Sequence, residues 1–237
     1  MDENQRLAYL EAIGIQVWLP RTKGADTQVE NFPATDCEAS PPELPPLACK
    51  GGVSQESWDE FETRVAQCTA CELHRTRTQT VFGTGNPKAD WMVIGEAPGA
   101  SEDEQGKPFV GRAGQLLTEM LRAVGLARDE VFIANILKCR PPNNRDPNPV
   151  EVEACESFLK QQLAMIRPKI ILAVGRIAAQ NLLKSDAPIG RLRGRVHRYG
   201  DIPLIVVYHP AYLLRSPLEK RKAWEDLRLA LRTVNAM

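Results

Sequence analysis

Residues 91–114 read WMVIGEAPGASEDEQGKPFVGRAG. The apolar run WMVI stops at Gly95, and the twenty residues from there hold five glycines, two prolines and four acids, with Phe109 the one bulky apolar side chain. WMVIG is too short for a helix, and its unbroken apolarity suits a strand covered on both faces. Three later runs share the pattern: VFIANIL (131–137), KIILAVG (169–175) and PLIVVYH (203–209). Between them lie AGQLLTEMLRAVGL, VEVEACESFLKQQLAMI and RIAAQNLLK, with LEKRKAWEDLRLALRTV last, all at helical spacing. Strand–helix alternation predicts an α/β fold, a three-layer αβα arrangement around a central four-stranded parallel sheet.

Ligands of such sheets gather beyond the carboxyl ends of the strands. The loop after the first run lies there, and GEAPG is neither a Walker A loop nor a GxGxxG fingerprint. The second run contains Asn135 and continues into KCRPPNNRDP; the fourth ends at His209 and continues into PAYLLR. Three strand ends thus bring together carboxylates, an aromatic ring, an amide and an imidazole. These groups suit a planar heterocycle. Phe109 can stack on it, and Asn135 can pair with an edge that bears adjacent donor and acceptor. His209 can hydrogen-bond an oxygen that becomes negative as a bond to the ring breaks, and a carboxylate can orient water or stabilise a neighbouring cation.

The chain has 237 residues and a formal net charge of zero. Residues 1–62 hold 12 acids and 4 bases, a net of −8, whereas the other 175 hold 18 acids and 26 bases, a net of +8. A cationic body suits a polyanion as well as a solvated surface. The opening MDENQRLAYL is acidic, without the layout of a secretory signal. No apolar run approaches the ~20 residues that span a bilayer. A cytoplasmic, monomeric protein without a membrane partner is expected.

Leu7, Leu10 and Ile13 recur at helical spacing and predict an amphipathic helix within residues 1–18, whose apolar face offers a surface to a protein partner. Residues 19–53 include PATDCEASPPELPPLACKGG, with five prolines and no periodicity, which predicts a flexible linker. The main domain then spans 54–237, with Ser54 expected to cap a first helix through Val65.

Six cysteines in a reducing compartment favour metal or redox chemistry over disulfides. Cys68 and Cys71 form a CxxC, Cys139 follows the second run, and Cys155 lies 16 positions further on within a helical pattern. Four thiolates closing across distant segments fit zinc or an iron–sulfur cluster, and spacing alone does not separate the two. Cys37 and Cys49 fall in the linker, where no ligand role is expected.

GEAPG followed by Glu102 and Asp103, then PFVGRAG, NILKCRPPNNRDP and HPAYLLR, together resemble the family 4 uracil-DNA glycosylases, the iron–sulfur type. The resemblance covers roughly residues 58–234. It implies a DNA repair enzyme that hydrolyses the N-glycosidic bond of deoxyuridine in uracil-containing DNA and leaves an abasic site. It implies a [4Fe–4S] cluster on Cys68, Cys71, Cys139 and Cys155. It also implies that Glu96 and Ala97 line the uracil pocket, Phe109 stacks on the base, Asn135 reads the O4/N3 edge, and His209 stabilises the departing uracil anion at O2. Glu102 is the carboxylate expected to support the sugar cation and the attacking water. Better-known uracil glycosylases have a catalytic aspartate where Ala97 stands, a departure that the family shares. The enzyme must flip the nucleotide out of the duplex. Leu213 and Leu214 are expected to fill the gap, Arg215 to hold a phosphate, and Arg191, Arg193 and Arg195 in GRLRGRVHR to grip the backbone.

Overall fold

The structure is a computed structural model that describes residues 56–237. The helix expected within 1–18 and the linker at 19–53 lie outside the described residues, as does Ser54. The first described helix, α1 (Trp58–Ala66), is capped by Ser57 instead. The Ser57 hydroxyl accepts from the Glu60 N–H at 3.2 Å, and the Glu60 carboxylate accepts in return from the Ser57 N–H at 2.8 Å. This reciprocal pair satisfies two N–H groups that a helix start leaves free.

All four apolar runs form parallel strands: β2 (Trp91–Gly95), β3 (Phe132–Asn135), β4 (Ile170–Val174) and β6 (Ile202–Val207). The sheet is larger than expected. Two antiparallel edge strands, β1 (Thr84–Gly85) and β5 (Val196–Tyr199), extend it to six, in the order β1-β3-β2-β4-β6-β5. Neither has an apolar run. β1 is two residues long, and β5 is an edge strand of alternating exposure inside the arginine-rich GRLRGRVHR stretch.

Alternate residues of the parallel strands feed two separate cores, the arrangement that a sheet between two helix layers requires. Met92, Ile94, Phe132, Ala134, Ile171, Ala173, Leu204 and Val206 face one core, with Phe61 of α1, Phe158 and Leu163 of α4 (Pro149–Ile166), and Ala178 of α5 (Arg176–Leu183). Val93, Ile133, Leu172 and Ile205 face the other, with Leu117 and Leu121 of α3 (Arg112–Ala123) and Trp224 and Leu227 of α8 (Lys220–Asn235). Each of the larger aliphatic and phenylalanine side chains among these, fully buried, contributes about 1.5–3 kcal/mol. The glycine-rich stretch after β2 includes a short helix, α2 (Ala100–Gln105), and two others, α6 (Ile189–Leu192) and α7 (Pro210–Arg215), flank β5 and β6. No helix among the described residues is long and apolar enough to cross a membrane.

Candidate active site

A cleft of about 850 Å³ opens at the carboxyl ends of the parallel strands. Glu96, Ala97, Glu102, Phe109, Asn135 and His209 all line it, so the sheet assembles every residue expected in the base pocket.

Asn135 ends β3 beside Gly95 of β2 in the strand register. A Cβ at residue 95 would run into Asn135 Oδ1 and lie 2.7 Å from Phe109 Cζ, so glycine is what lets the amide and the ring meet there. Asn135 is only 2% exposed, yet its Oδ1 has no hydrogen-bond partner among the described residues. Leaving a buried acceptor unpaired costs about 1–3 kcal/mol. An unpaired acceptor that faces a cleft is a ligand contact waiting to be made.

Phe109 has φ of 54°, a left-handed backbone that costs an aromatic residue on the order of 1–3 kcal/mol. Its ring stacks against the His209 imidazole, with centroids 5.7 Å apart and planes inclined by 29°. Glu102, in the first turn of α2, holds the following segment: Oε1 accepts from the N–H groups of Val110 at 2.9 Å and Gly111 at 3.3 Å.

His209 caps α7, and its Nδ1 accepts from the Ala211 N–H at 3.1 Å. With Nδ1 an acceptor, the proton of the neutral ring resides on Nε2. Burial lowers the His209 pKa to about 4, the Arg215 charge adds to this, and Glu102 opposes it. The imidazole is therefore neutral at physiological pH and donates through Nε2. Burial, reinforced by Asp146 and opposed by Arg176, pushes the Glu96 carboxyl up to about 7. Arg176 itself is paired with Asp146 at 2.7 Å. Neither was anticipated, although Arg176 directly follows KIILAVG and Asp146 lies in KCRPPNNRDP, both at strand ends.

The expected DNA contacts divide. Arg215 is exposed and lines the cleft, and Leu214, Arg191 and Arg195 are exposed to solvent. Leu213 is not available: it is 1% exposed and belongs to the core under α3 and α8. Arg193 is also turned inward. Its Nε and Nη2 donate to the buried Asp226 carboxylate at 2.8 and 3.0 Å, and Nη2 also donates to the Lys222 carbonyl at 2.7 Å. Tyr212, 37% exposed and part of the cleft lining with Arg215, was missed. Its place in HPAYLLR beside the leucines was the available signal.

Cys68, Cys71, Cys139 and Cys155 line one small cavity between α1, α4 and the loop after β3. Among the described residues, no three of His, Cys, Asp and Glu converge as a single-ion site would require. Three of the sulfurs accept N–H groups: Cys68 from Ala70 at 3.5 Å, Cys139 from Arg77 at 3.1 Å and Cys155 from Lys138 at 3.3 Å. Lys138 is wholly buried, and its ammonium donates to two neutral oxygens, Asn135 O at 2.9 Å and Gln162 Oε1 at 2.6 Å. A buried ammonium needs an opposing charge; burial raises the Cys139 and Cys155 thiols, Cys155 to about 11, so these nearby sulfurs would supply that charge once ionised by a bound metal centre. The donor set fits an anionic thiolate centre.

The description of the family model that matches residues 82–228 is "Uracil DNA glycosylase superfamily". A type-4 uracil-DNA glycosylase of Archaeoglobus fulgidus is 48% identical over 179 residues, which covers 72% of this chain and 89% of the relative. One from Thermotoga maritima is 44% identical and covers 68% of this chain and 85% of its own. A type-5 uracil-DNA glycosylase of Pyrobaculum aerophilum is more distant, 29% identical over 66% of this chain and 83% of its own. The chain belongs to the type-4 family of the uracil DNA glycosylase superfamily.

Proposed function

We propose that this chain is a DNA repair glycosylase that hydrolyses the N-glycosidic bond of deoxyuridine in DNA, releasing uracil and leaving an abasic site. One observation carries the reading: a buried amide with a free acceptor lies beside a stacked Phe109–His209 pair at the floor of a cleft, in a chain of this family. The flipped uracil lies against Phe109. Asn135 Oδ1 accepts from uracil N3–H, which satisfies the unpaired oxygen, and its amide donates to O4. Cytosine, with an acceptor at N3 and donors at the exocyclic position, reverses that pattern and is refused.

As the bond breaks, negative charge grows on uracil O2. His209 Nε2–H donates to it from a neutral ring, so binding of the ground-state base gains little and the transition state gains more. Glu102 has one oxygen engaged with Val110 and Gly111, which fixes the carboxylate; the other is left to face the sugar cation and the incoming water. Leu214 and Tyr212 fill the vacated stack, and Arg191, Arg195 and Arg215 meet phosphates. The enzyme acts as a cytoplasmic monomer.

We further infer that Cys68, Cys71, Cys139 and Cys155 hold a [4Fe–4S] cluster. Support comes from the N–H groups on three sulfurs, the buried Lys138 ammonium, and the four cysteines lining one small cavity. When bound, the cluster supplies a rigid anionic cross-link. Cys139 and Cys155 bracket the segment whose Pro141, Asn144, Arg145 and Asp146 line the cleft, so the link fixes one wall.

The activity is tested by release of free uracil, followed by alkaline strand cleavage, on oligonucleotides with U opposite A, U opposite G and single-stranded U. Asn135→Asp should lose nearly all uracil excision and gain at most a trace on cytosine. Full activity in that variant would refute the recognition scheme. For the metal, iron and acid-labile sulfide with a broad absorption near ~400 nm are expected, lost in Cys139→Ser; colourless protein holding one zinc would refute the cluster.

A further inference from the structure

We propose that Arg128 is a positioning residue that holds Phe109 in its base-stacking posture from outside the cleft. The proposal rests on the reading above that Phe109 stacks on the flipped base. Arg128 follows α3 and reaches back to the peptide groups around Phe109. Its Nη2 donates to the carbonyls of Pro108 at 2.6 Å and Phe109 at 3.1 Å, while Nη1 donates to Thr118 Oγ1 at 3.2 Å. Thr118 Oγ1 in turn donates to the Gly114 carbonyl at 3.1 Å. A Cβ on Gly114 would run into the Phe109 carbonyl, so that carbonyl lies directly on the start of α3.

The left-handed Phe109 is thus clamped from two sides. Glu102 takes the N–H groups that follow it, and Arg128 takes its carbonyl and the one before. All three acceptors of Arg128 are neutral, so the guanidinium is used as a fork of donors and not as half of an ion pair. Lysine cannot substitute, because an ammonium lacks the planar fork that spans two carbonyls and a hydroxyl.

Arg128 does not touch the base pocket. It lines a different cleft of about 580 Å³, with Thr84, Gly85, Arg122 and Leu126, and none of that cleft's lining residues borders the site of Asn135 and His209. Its hydrogen bonds reach the site only through the backbone around Phe109, and its charge, which also acts on Glu102, is kept in Arg128→Lys.

That dependence sets the test, a double-mutant cycle on single-turnover uracil excision with Phe109→Ala, Arg128→Met and the pair, thermal midpoints being recorded alongside. Arg128→Met should slow excision by ~10-fold to 10²-fold, the scale for a displaced reacting group, and weaken inhibition by free uracil. On the Phe109→Ala background the same change should slow excision no further, because the ring that Arg128 positions is gone. Arg128→Lys, which keeps the charge and the packing stem, should hold its thermal midpoint and still be slowed several-fold, so a fold defect in Arg128→Met does not decide the matter. Rate losses that multiply in the double variant, or a wild-type rate in Arg128→Lys, would overturn the proposal. A wild-type rate in Phe109→Ala would instead overturn the stacking role on which it rests.

Discussion

Leu213 and Leu214 are chain neighbours in α7 that face different ways, one 1% exposed in the core and the other 38% exposed to solvent. Successive helical residues are turned about 100° apart, so only one of them can enter DNA. Leu213→Ala should destabilise the fold by about 2–5 kcal/mol, the range for a buried leucine, and lower activity only as far as it unfolds the protein. Leu214→Ala should leave the thermal midpoint nearly unchanged and slow excision from duplex more than from single-stranded DNA. Equal thermal losses in the two would show that the helix is wrongly faced.

The three arginines of GRLRGRVHR separate in the same manner. Asp226 is fully buried, and burial raises its carboxyl to about 6 against the lowering effect of Arg193. Arg193→Met strands that carboxylate and should cost about 3–5 kcal/mol. Arg191→Gln and Arg195→Gln should leave stability alone, weaken DNA binding, and each reduce the salt dependence of binding by about one counterion. Calorimetry and salt titrations check both halves.

Glu96 introduces a pH dependence near neutrality. Its carboxyl, raised by burial to about 7, is neutral below that pH and anionic above it. An anion in the pocket opposes a base that is itself becoming negative, so the single-turnover rate should fall as pH rises through about 7. Glu96→Gln keeps the neutral form at every pH and should remove that fall. His209, lowered to about 4 by burial, stays neutral across this range and adds no limb of its own above pH 5. An unchanged alkaline limb in Glu96→Gln would place its origin elsewhere.

The sheet and the pocket were legible in the sequence because both depend on local signals. Four apolar runs marked the parallel strands, and Asn135, Phe109 and His209 stood in or beside the loops that such strands must present. β5 was hidden because an edge strand needs no apolar run, and its arginines read as a DNA-binding stretch. Arg193 and Arg195 have the same charge and differ only in what lies 33 residues away, the carboxylate of Asp226. Arg128 was hidden for the same reason: two of its three acceptors are main-chain carbonyls far back in the chain, and carbonyls carry no residue code. For the leucines of HPAYLLR, the sequence marked an apolar wedge but neither the short helix that carries it nor which side of that helix faces α3.

The central claim is that His209 acts on charge that exists only while the glycosidic bond is breaking. The most direct measurement is the single-turnover excision rate of His209→Ala together with its equilibrium affinity for uracil-containing DNA. The expected result is a rate lower by ~10²-fold or more, the scale for one lost oxyanion donor, with affinity within a few-fold of the unaltered protein. Weakened binding with an unchanged chemical step would make the imidazole a positioning group and contradict the account.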